Sequence, residues 1–498
     1  MNYRNPIISG CHPDPSICRA GDDYYLVNSS FEYFPGVPIF HSRDLFNWKE
    51  IGHCLTRKSQ LKLEKAKSSN GIFAPTIRCH DGTFYMTTTN FTIGGNFFVS
   101  TDDPSGEWSD PIWVDQEGID PSLFFDEGKV YYATSGREGI LQSEIDMRTG
   151  KKTGDVICVW KGTGGQFPEG PHMYKRGGLY YLMIAEGGTE YGHMETIARS
   201  SSPRGPFEAC PHNPILTHRS ISSPVQAVGH ADMVEAADGT WWAACLGIRP
   251  SGYPYRHHLG RETFLVPVRW SSDGWPVMGE DGRIPAETLT SDAPVRGAGT
   301  EGSVRDDFNS AKLDVNWNFL RNPNVDDWSL SDRPGWLRLA SSPVTLNDED
   351  SPAFLGRRQE HFECRVSTLV DFMPRSDNEE AGLVIRMNET HHYEIALTCR
   401  GDKRCVIVRR RIGSLSSVVA REEIPGGNVT LGIKADRDTY RFSYSVGSSQ
   451  EKTIASGETK YLATEVAGGF IGVYLGMYAT ANGRTSGTPA YFDWFEYV

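Results

Sequence analysis

The sequence predicts an all-β protein in which a five-bladed β-propeller is followed by a β-sandwich. Three observations support this prediction. The chain is rich in turn-forming residues, with 52 glycines and 29 prolines among 498 residues. A hairpin-like element recurs along the first part of the chain, and segments of alternating apolar and polar residues occupy the rest. Frequent turns and period-two alternation are typical of strands rather than helices.

The recurring element is a polar or acidic residue, a short apolar stretch, a turn and an aromatic pair. Its five copies read DPSICRAGDDYYLV from Asp14, APTIRCHDGTFYMT from Ala74, DPSLFFDEGKVYYAT from Asp120, EGPHMYKRGGLYYLM from Glu169 and HADMVEAADGTWWAA from His230. Each copy is typical of a β-hairpin. Their spacing is close to the length of a four-stranded propeller blade, so five copies predict five blades. The alternative is that any large β protein shows aromatic pairs after glycine turns.

Markers of outer-strand turns lie between these copies, at residues 41–48, 100–110, 200–208 and 270–276. A linker is then predicted at 291–305, where SDAPVRGAGTEGSVR is rich in small and turn-forming residues. Beyond it come the strand candidates GWLRLA, HFECRVSTLVDF, AGLVIRMN, HHYEIALTC, RCVIVRRRI, NVTLGIKAD, TYRFSYSV, FIGVYLGMYA and AYFDWFEYV. This pattern indicates a sandwich. We therefore expect a catalytic propeller over 1–297 and a sandwich over 304–498.

The composition excludes several classes of function. A formal net charge of −13 argues against a nucleic-acid or anionic-membrane partner, because such surfaces need clustered Lys and Arg. The ten cysteines are scattered without CxxC pairs, and we interpret them as free thiols. The N-terminal segment MNYRNPIISGCHPDPSI lacks the apolar core of a signal peptide. We therefore expect a cytoplasmic location, although a leader removed beforehand would leave the same pattern.

The innermost strands of a propeller converge on its axis, so the first residues of the five copies are expected to line one funnel. These residues are Asp14, Ala74, Asp120, Glu169 and His230. Buried carboxylates are costly to desolvate unless they are used or hydrogen-bonded. Cleavage of a glycosidic bond needs one carboxylic acid to protonate the leaving oxygen and one carboxylate on the opposite face. The funnel supplies both, whereas each carboxylate taken singly could be a turn or strand-end residue.

Seven segments carry a resemblance to a known family. They read HPDPSICR, SSFEYFPGVPIFHSRDLFNW, GIFAPTIR, GIDPSLFFD, PEGPHMYK, AEGGTEYGHM and VGHADMVE. Through them the chain resembles glycoside hydrolase family 43, a group of β-xylosidases and α-L-arabinofuranosidases. The second domain resembles the C-terminal sandwich of the longer xylosidase-type members. The resemblance implies a concanavalin or lectin-like jelly roll for this domain.

The resemblance also implies roles for the three carboxylates. Asp14 matches the family's general base, Glu169 its general acid, and Asp120 the residue that tunes the pKa of the acid and orients it. Chemistry agrees, because an ionised Asp120 should raise the pKa of Glu169 while Asp14 stays ionised to activate water. The family inverts the anomeric centre, which predicts a separation between base and acid of roughly 6.5 to 9.5 Å. No cofactor is expected to be required for the chemistry.

Further residues are expected to bind the sugar. Arg261, in HHLGRETFLVPV, matches an arginine that reaches the sugar hydroxyls, a surface arginine being the alternative. Phe31 and Phe73, with Ala74 beside them, would form an apolar wall, and core packing is the alternative for both rings. Many family members have Trp at the second position, so Phe73 leaves the pocket size undecided. Phe470 is the candidate residue of a sandwich loop that closes the pocket mouth. The alternative is that it is an ordinary buried aromatic residue of the sandwich.

A cation site is a further expectation. His230 matches a family histidine at the bottom of the funnel, beside a calcium or other cation coordinated by water. A satisfied core histidine is the alternative, because one imidazole is a poor ligand set for a hard cation. The acidic pairs at 306–307 and 326–327 could also bind calcium, with solvated turns as the other interpretation.

We therefore expect an exo-acting, inverting hydrolase that releases terminal β-D-xylose, α-L-arabinofuranose or both from xylo-oligosaccharides and arabinoxylo-oligosaccharides. An arabinofuranosidase with little xylosidase activity is the second hypothesis. The third is a carbohydrate-binding propeller without catalysis, since a fold alone guarantees no chemistry. A fructosyl-transferring propeller agrees less well with PEGPHMYK and VGHADMVE. Some sandwich-bearing members assemble as dimers or tetramers, which makes a homo-oligomer a further expectation.

Overall fold

The computed structural model describes residues 3–289 and 304–498. The predicted linker at 291–305 lies outside the described residues except for its last two positions. Helical structure in the described residues is confined to an α-helix at Thr464–Ala467 and 3₁₀ turns at Ala286–Thr288, Val325–Asp327 and Thr459–Leu462. None of these described helices has the length and apolar character needed to cross a membrane. All ten cysteines are free thiols.

Five antiparallel sheets follow one another along the first part of the chain, each with its strands paired in chain order. Blade 1 contains Ser16–Ala20, Asp23–Val27, Gly36–Ser42 and Lys49–Leu55, and blade 2 contains Thr76–His80, Thr83–Asn90, Gly95–Thr101 and Ile112–Val114. Blade 3 contains Ile119–Asp126, Lys129–Gly136, Gly139–Glu144 and Ile157–Trp160. Blade 4 contains Glu169–Arg176, Leu179–Glu186, Met194–Ser200 and Glu208–Ala209, with Leu216–Thr217 also paired to its third strand. Blade 5 contains Gln226–Glu235, Trp241–Ile248, Glu262–Trp270 and Pro276–Met278.

The first strand of each blade contacts the first strand of the next, and blade 5 contacts blade 1. The N-terminal segment reinforces this closure, because Ile7 and Ile8 exchange backbone hydrogen bonds with Thr263 of blade 5. Asn5 adds side-chain hydrogen bonds to the backbone of Leu265. The predicted five-bladed propeller is confirmed. Its closed ring directs the starting ends of the five inner strands toward one axis.

The second part of the chain forms two facing sheets. One sheet has the order Trp328–Ser329, Leu337–Ala340, Pro489–Tyr497, Cys364–Asp371, Val429–Ala435, Thr439–Val446 and Lys452–Glu458, with Val304–Asp306 also paired to Pro489–Tyr497. The other has the order Ala353–Arg358, Tyr474–Thr480, Glu380–Asn388, His391–Arg400, Lys403–Ile412 and Leu415–Glu423. The predicted sandwich is confirmed, and each of the nine strand candidates contains a strand. The sequence did not predict the strands Ala353–Arg358, Leu415–Glu423 and Lys452–Glu458, of which Leu415–Glu423 is an edge strand exposed along most of its length.

A short ladder joins the propeller to the sandwich. Tyr33–Phe34 pairs antiparallel with Phe319–Leu320, so one sheet contains strands from both domains. The ring of Tyr33 lies parallel to that of Tyr474, with a centroid distance of 3.7 Å. Phe31, Tyr33 and the sandwich core belong to one continuous apolar cluster. The two domains therefore share a hydrophobic core at this interface.

Buried charges lie beside this ladder. The Glu389 carboxylate pairs with the guanidinium groups of both Arg321 and Arg386, whose side chains are fully buried. Glu32 of the propeller lies 3.7 Å from Arg386 and accepts a hydrogen bond from the backbone N–H of Ser69. Burial opposes ionisation of Glu389, but Arg386 and Arg321 hold its pKa at about 2. Glu389 is therefore the main counter-charge of two buried cations.

Replacing Glu389 by alanine is expected to lower the free energy of unfolding by about 3–5 kcal/mol, because two buried guanidinium groups would lose their shared carboxylate. Denaturant titration followed by intrinsic fluorescence measures this change. The matched control is Glu423→Ala, which removes an exposed ion pair with Lys403. The control should change stability by no more than about 1 kcal/mol. Equal losses in the two variants would contradict the role assigned to Glu389.

Candidate active site

One cavity at the starting ends of the inner strands contains every residue predicted for the site. Its lining comprises Asp14, Phe31, Phe73, Ala74, Ile119, Asp120, Glu169, Thr189, His230, Arg261 and Phe470. The cavity has a volume of ≈ 90 Å³. Pockets for drug-sized ligands measure about 300–1,000 Å³. The cavity is therefore suited to a single small ring rather than to a longer ligand.

The backbone at the starting ends of the inner strands is unusual. Asp14, Asp120 and His230 have φ angles of 54°, 52° and 47°, in the left-handed region that residues other than glycine rarely adopt. In blade 4 the corresponding residue is Gly170, with φ of 57°, and Glu169 precedes it. Bulges interrupt the inner strands of blades 3, 4 and 5 at these positions. Because bulges redirect side chains, they aim these groups into the funnel.

Asp14 is buried and surrounded by groups that favour its ionised form. Arg261 Nη1 donates to Asp14 Oδ1 at 2.6 Å, and Ser29 Oγ donates to Oδ2 at 2.5 Å. His230 Nδ1 lies 3.8 Å from Asp14 Oδ1. Burial alone would raise the pKa of Asp14, but Arg261, His230 and Ser29 together hold it below its ordinary value. Asp14 is therefore a carboxylate at neutral pH.

Glu169 has the opposite environment. Burial and, to a smaller extent, the neighbouring carboxylates of Asp120 and Asp14 raise its pKa to about 8, against the opposing effect of Arg261. Burial likewise raises the pKa of Asp120 to about 6, with His230 opposing the shift. Asp120 Oδ2 accepts a hydrogen bond from the backbone N–H of Gly170 at 3.2 Å, which ties it to the residue after Glu169. One pocket therefore contains an ionised carboxylate and a carboxylic acid that stays protonated near neutrality.

Three phenylalanine rings form the apolar wall of the cavity. The Phe31 and Phe73 centroids lie 5.9 Å apart, and Phe470 lies 6.4 Å from Phe31 and 6.5 Å from Phe73. Phe470 is 42% exposed, so the alternative of an ordinary buried sandwich aromatic is wrong. Its backbone N–H donates to Ser69 Oγ at 2.8 Å, and its carbonyl accepts from Arg261 Nη2 at 3.1 Å. A sandwich residue therefore completes the wall of a propeller pocket.

The surroundings of His230 do not fit direct metal coordination. Its Nδ1 faces Asp14, and its Nε2 is so close to Gly170 that a Cβ added there would lie 2.8 Å away. In the described parts of the chain, no three His, Cys, Asp or Glu side chains form a group that could hold a metal ion. Asp306 instead accepts from the Trp317 indole, and Asp307 pairs with Arg305. The predicted calcium sites therefore gain no support from side-chain ligands.

Sequence reasoning missed several residues of the site. Ile119 and Thr189 line the cavity, Ser29 bonds Asp14, and Ser69 holds the loop of Phe470. His193 is fully buried, and its Nε2 lies 3.8 Å from Glu169 Oε1. Burial lowers the pKa of His193 to about 3, so its ring is neutral. All except Ser69 lie in segments that carry the family resemblance, which was the available signal.

Two family descriptions match the chain. "Glycosyl hydrolases family 43" matches residues 3–276, and "Beta xylosidase C-terminal Concanavalin A-like domain" matches residues 305–498. A non-reducing end α-L-arabinofuranosidase of Bacteroides ovatus is 45% identical over 99% of this chain and 94% of its own length. A xylosidase/arabinosidase of Butyrivibrio fibrisolvens is 40% identical over 99% of this chain and 98% of its own length.

Solved structures of similar proteins also match the chain over its whole length. The structure described as Bacteroides ovatus xyloglucan PUL GH43B has a TM-score of 0.95 at 45% identity, covering 100% of this chain and 99% of that one. A xylan β-1,4-xylosidase from Bacillus halodurans C-125 has a TM-score of 0.93 at 35% identity, with both chains covered completely. The likeness therefore extends over both domains in sequence and in structure.

Gly170→Ala is expected to lower the free energy of unfolding by about 1–3 kcal/mol more than Gly177→Ala, because the new methyl group must displace the His230 ring. The two glycines have nearly equal φ angles, 57° and 59°, but a Cβ at Gly177 meets nothing within 4 Å. The comparison therefore isolates the clash from the backbone strain. Denaturant titration of both variants measures it. Equal stabilities would show that His230 is not held against Gly170.

Proposed function

The chain belongs to glycoside hydrolase family 43 and is an exo-acting glycoside hydrolase, and on this basis we propose that it removes terminal pentoses with inversion. The sugars released are β-D-xylose and α-L-arabinofuranose, and the substrates are xylo-oligosaccharides and arabinoxylan fragments. The observation that carries the hydrolytic mechanism is the opposite protonation of Asp14 and Glu169 in one small pocket. Both inverting and retaining hydrolysis need one ionised and one protonated carboxyl group, and we propose inversion because the family resemblance implies it.

In the proposed reaction, Asp14 accepts a proton from a water molecule as that water attacks the anomeric carbon. Glu169 donates its proton to the glycosidic oxygen as the bond to that oxygen breaks. The products are a sugar of inverted configuration and the shortened oligosaccharide with a new hydroxyl group. Both carboxyl groups return to their starting protonation when Asp14 releases its proton and Glu169 regains one. The predicted separation of roughly 6.5 to 9.5 Å leaves room for the water.

We propose that Arg261 and the aromatic wall hold the sugar. Arg261 binds Asp14 and the Phe470 carbonyl through its terminal nitrogens, while its buried Nε finds no partner among the described residues. Because Arg261 lines the cavity, its guanidinium group lies beside the bound sugar in the proposed complex and would donate to the sugar hydroxyls. The C–H face of a pentose would pack on Phe31, Phe73 and Phe470. Asp120 would keep Glu169 protonated through its charge.

A second candidate is an arabinofuranosidase with little xylosidase activity. The Bacteroides ovatus relative, 45% identical, is named a non-reducing end α-L-arabinofuranosidase, which favours it. The Butyrivibrio fibrisolvens relative is named for both activities, which favours the first proposal. Terminal xylopyranose and arabinofuranose can present similar hydroxyls and scissile bonds to one pocket, so the ratio of the two rates distinguishes the candidates.

We retain a cation near His230 only as a structural proposal, bound through water, and no step of the reaction depends on it. The cytoplasmic location and the homo-oligomeric state stay predictions from the sequence.

Asp14→Asn is expected to reduce hydrolysis of p-nitrophenyl β-D-xylopyranoside and p-nitrophenyl α-L-arabinofuranoside by about 10²–10⁴-fold, because a neutral amide cannot accept the proton of water. Glu169→Gln should cause a similar loss on xylobiose, whose leaving group needs protonation. It should cause a smaller loss on a 2,4-dinitrophenyl glycoside, whose leaving group departs as an anion. Initial rates measure these three losses of activity. Proton NMR of the first sugar released shows its anomeric configuration and so tests inversion.

The matched control for these variants is Glu235→Gln, an exposed carboxylate at the other end of the inner strand of blade 5. It should leave all rates within about twofold, as expected for a surface substitution. If the wild-type enzyme hydrolyses neither p-nitrophenyl glycoside, the proposed substrates are wrong. Full activity of Asp14→Asn would overturn the proposed base.

The pH dependence tests the acid. Glu169 is active when protonated, so kcat/KM should fall as pH rises through about 8, the value to which burial and its neighbours raise its pKa. Asp120→Asn removes a negative charge that raises this pKa and retains an oxygen that can accept from Gly170. In this variant the fall of kcat/KM at alkaline pH should therefore occur at lower pH than in the wild type. A fall at the same or at higher pH would contradict the role proposed for Asp120.

A further inference from the structure

A second, wider cavity lies next to the pocket. It is bounded by residues 89–96 and 113–119, between the outer part of blade 2 and the start of blade 3, and we call it the blade 2 groove. Its volume is ≈ 660 Å³, against ≈ 90 Å³ for the pocket. Ile119 lines both cavities, and the next residue is Asp120 of the site. The groove therefore adjoins the pocket at Ile119, on the side of blade 3.

Two aromatic side chains give the groove a rigid apolar surface. The Phe91 ring lies parallel to Phe73 of the pocket wall, with centroids 4.6 Å apart and an interplanar angle of 3°. Trp113 packs on Phe97 at 5.0 Å and on the backbone of Gly95. Phe91 is nevertheless 49% exposed and Trp113 is 45% exposed. Each ring is thus packed on one side and exposes part of its apolar surface to solvent, where a sugar ring could stack on it.

The polar residues of the groove fit a neutral ligand that donates hydrogen bonds. Asp115 and Glu117 are exposed at its edge, and none of its lining residues, all within the described part of the chain, is Lys or Arg. Lys152 Nζ lies 4.0 Å from the Asp115 carboxylate, so of these two carboxylates Glu117 is the one outside that ion pair. Sugars stack their C–H faces on aromatic rings and donate hydroxyl hydrogens to carboxylates. A volume several times that of the pocket accommodates more than one such ring.

We propose that the blade 2 groove binds the part of the oligosaccharide that remains after cleavage, with Trp113 as a stacking platform for a distal sugar. The inference rests on the proposed function, in which the pocket holds the terminal pentose. Glu169 protonates the oxygen that leaves with the rest of the chain, and Asp120 lies beside Glu169. A chain that leaves on the side of these two carboxyl groups would meet Ile119, which also lines the groove. Trp113 thereby sets a preference for longer substrates.

The test compares substrates of different length. Trp113→Ala should raise KM for xylotetraose roughly five- to tenfold, the loss expected for one aromatic contact. It should leave KM for p-nitrophenyl β-D-xylopyranoside within about twofold, since that leaving group is one ring long, and xylobiose should behave likewise. Trp113→Phe retains an aromatic face and should restore most of the loss. The matched control is Tyr253→Ala, a 92% exposed ring that lines neither cavity.

Calorimetry gives a readout independent of turnover. Xylotetraose should bind Glu169→Gln more tightly than it binds the double variant Glu169→Gln/Trp113→Ala, by about five- to tenfold in Kd. Equal Kd values, or equal KM increases for short and long substrates, would overturn the groove proposal while leaving the proposed function intact. Wild-type enzyme inert on every pentoside would overturn the proposed function itself. A change of sedimentation coefficient in Trp113→Ala would assign the groove to a second copy of this chain instead.

Discussion

The bridge that Arg261 makes between Asp14 and the carbonyl of Phe470 is the contact on which the site depends. A guanidinium group is always charged and carries its donors in a planar fork, so it can bind two acceptors at once. One arm holds the pKa of Asp14 below its ordinary value, and the other fixes a sandwich loop at the pocket mouth. The buried cation needs both acceptors, because a buried charge is tolerated only when it is paired and hydrogen-bonded. The low pKa of Asp14 and the position of the Phe470 loop therefore depend on the same arginine side chain.

The same cation explains why three similar carboxyl groups behave differently. Asp14 is in direct contact with Arg261, so it stays ionised despite its burial. Asp120 and Glu169 lack such a contact, and burial raises the pKa of each. Every negative charge already present in the funnel raises the pKa of Glu169 further. The contact with Arg261, supported by His230 and Ser29, thus separates the base from the acid, whose pKa is raised by burial and by neighbouring negative charges.

Much of the architecture could be predicted because its signals are local. Each blade begins with a hairpin whose turn and aromatic pair are adjacent in sequence, and the funnel residues are the first residues of the five sequence copies that contain those hairpins. Features that depend on the folded backbone could not be predicted in this way. The bulge that places Glu169 one residue before the left-handed Gly170 has no sequence marker of its own. Ser69 reaches Phe470 across 401 positions of the chain, and no local pattern reports such a contact.

The exposure of Phe470 shows what the sandwich contributes to exo action. A propeller funnel alone is open to solvent, and the Phe470 ring closes one side of it against Phe31. The segment that supplies Phe31 continues directly into the interface, with Glu32 beside the buried Arg386 and Tyr33 stacked on Tyr474. Displacement of the sandwich would therefore move a pocket wall and a buried charge together. Because the shared core and the ion pairs resist that movement, the pocket keeps the size of one sugar, and the wider blade 2 groove lies outside it.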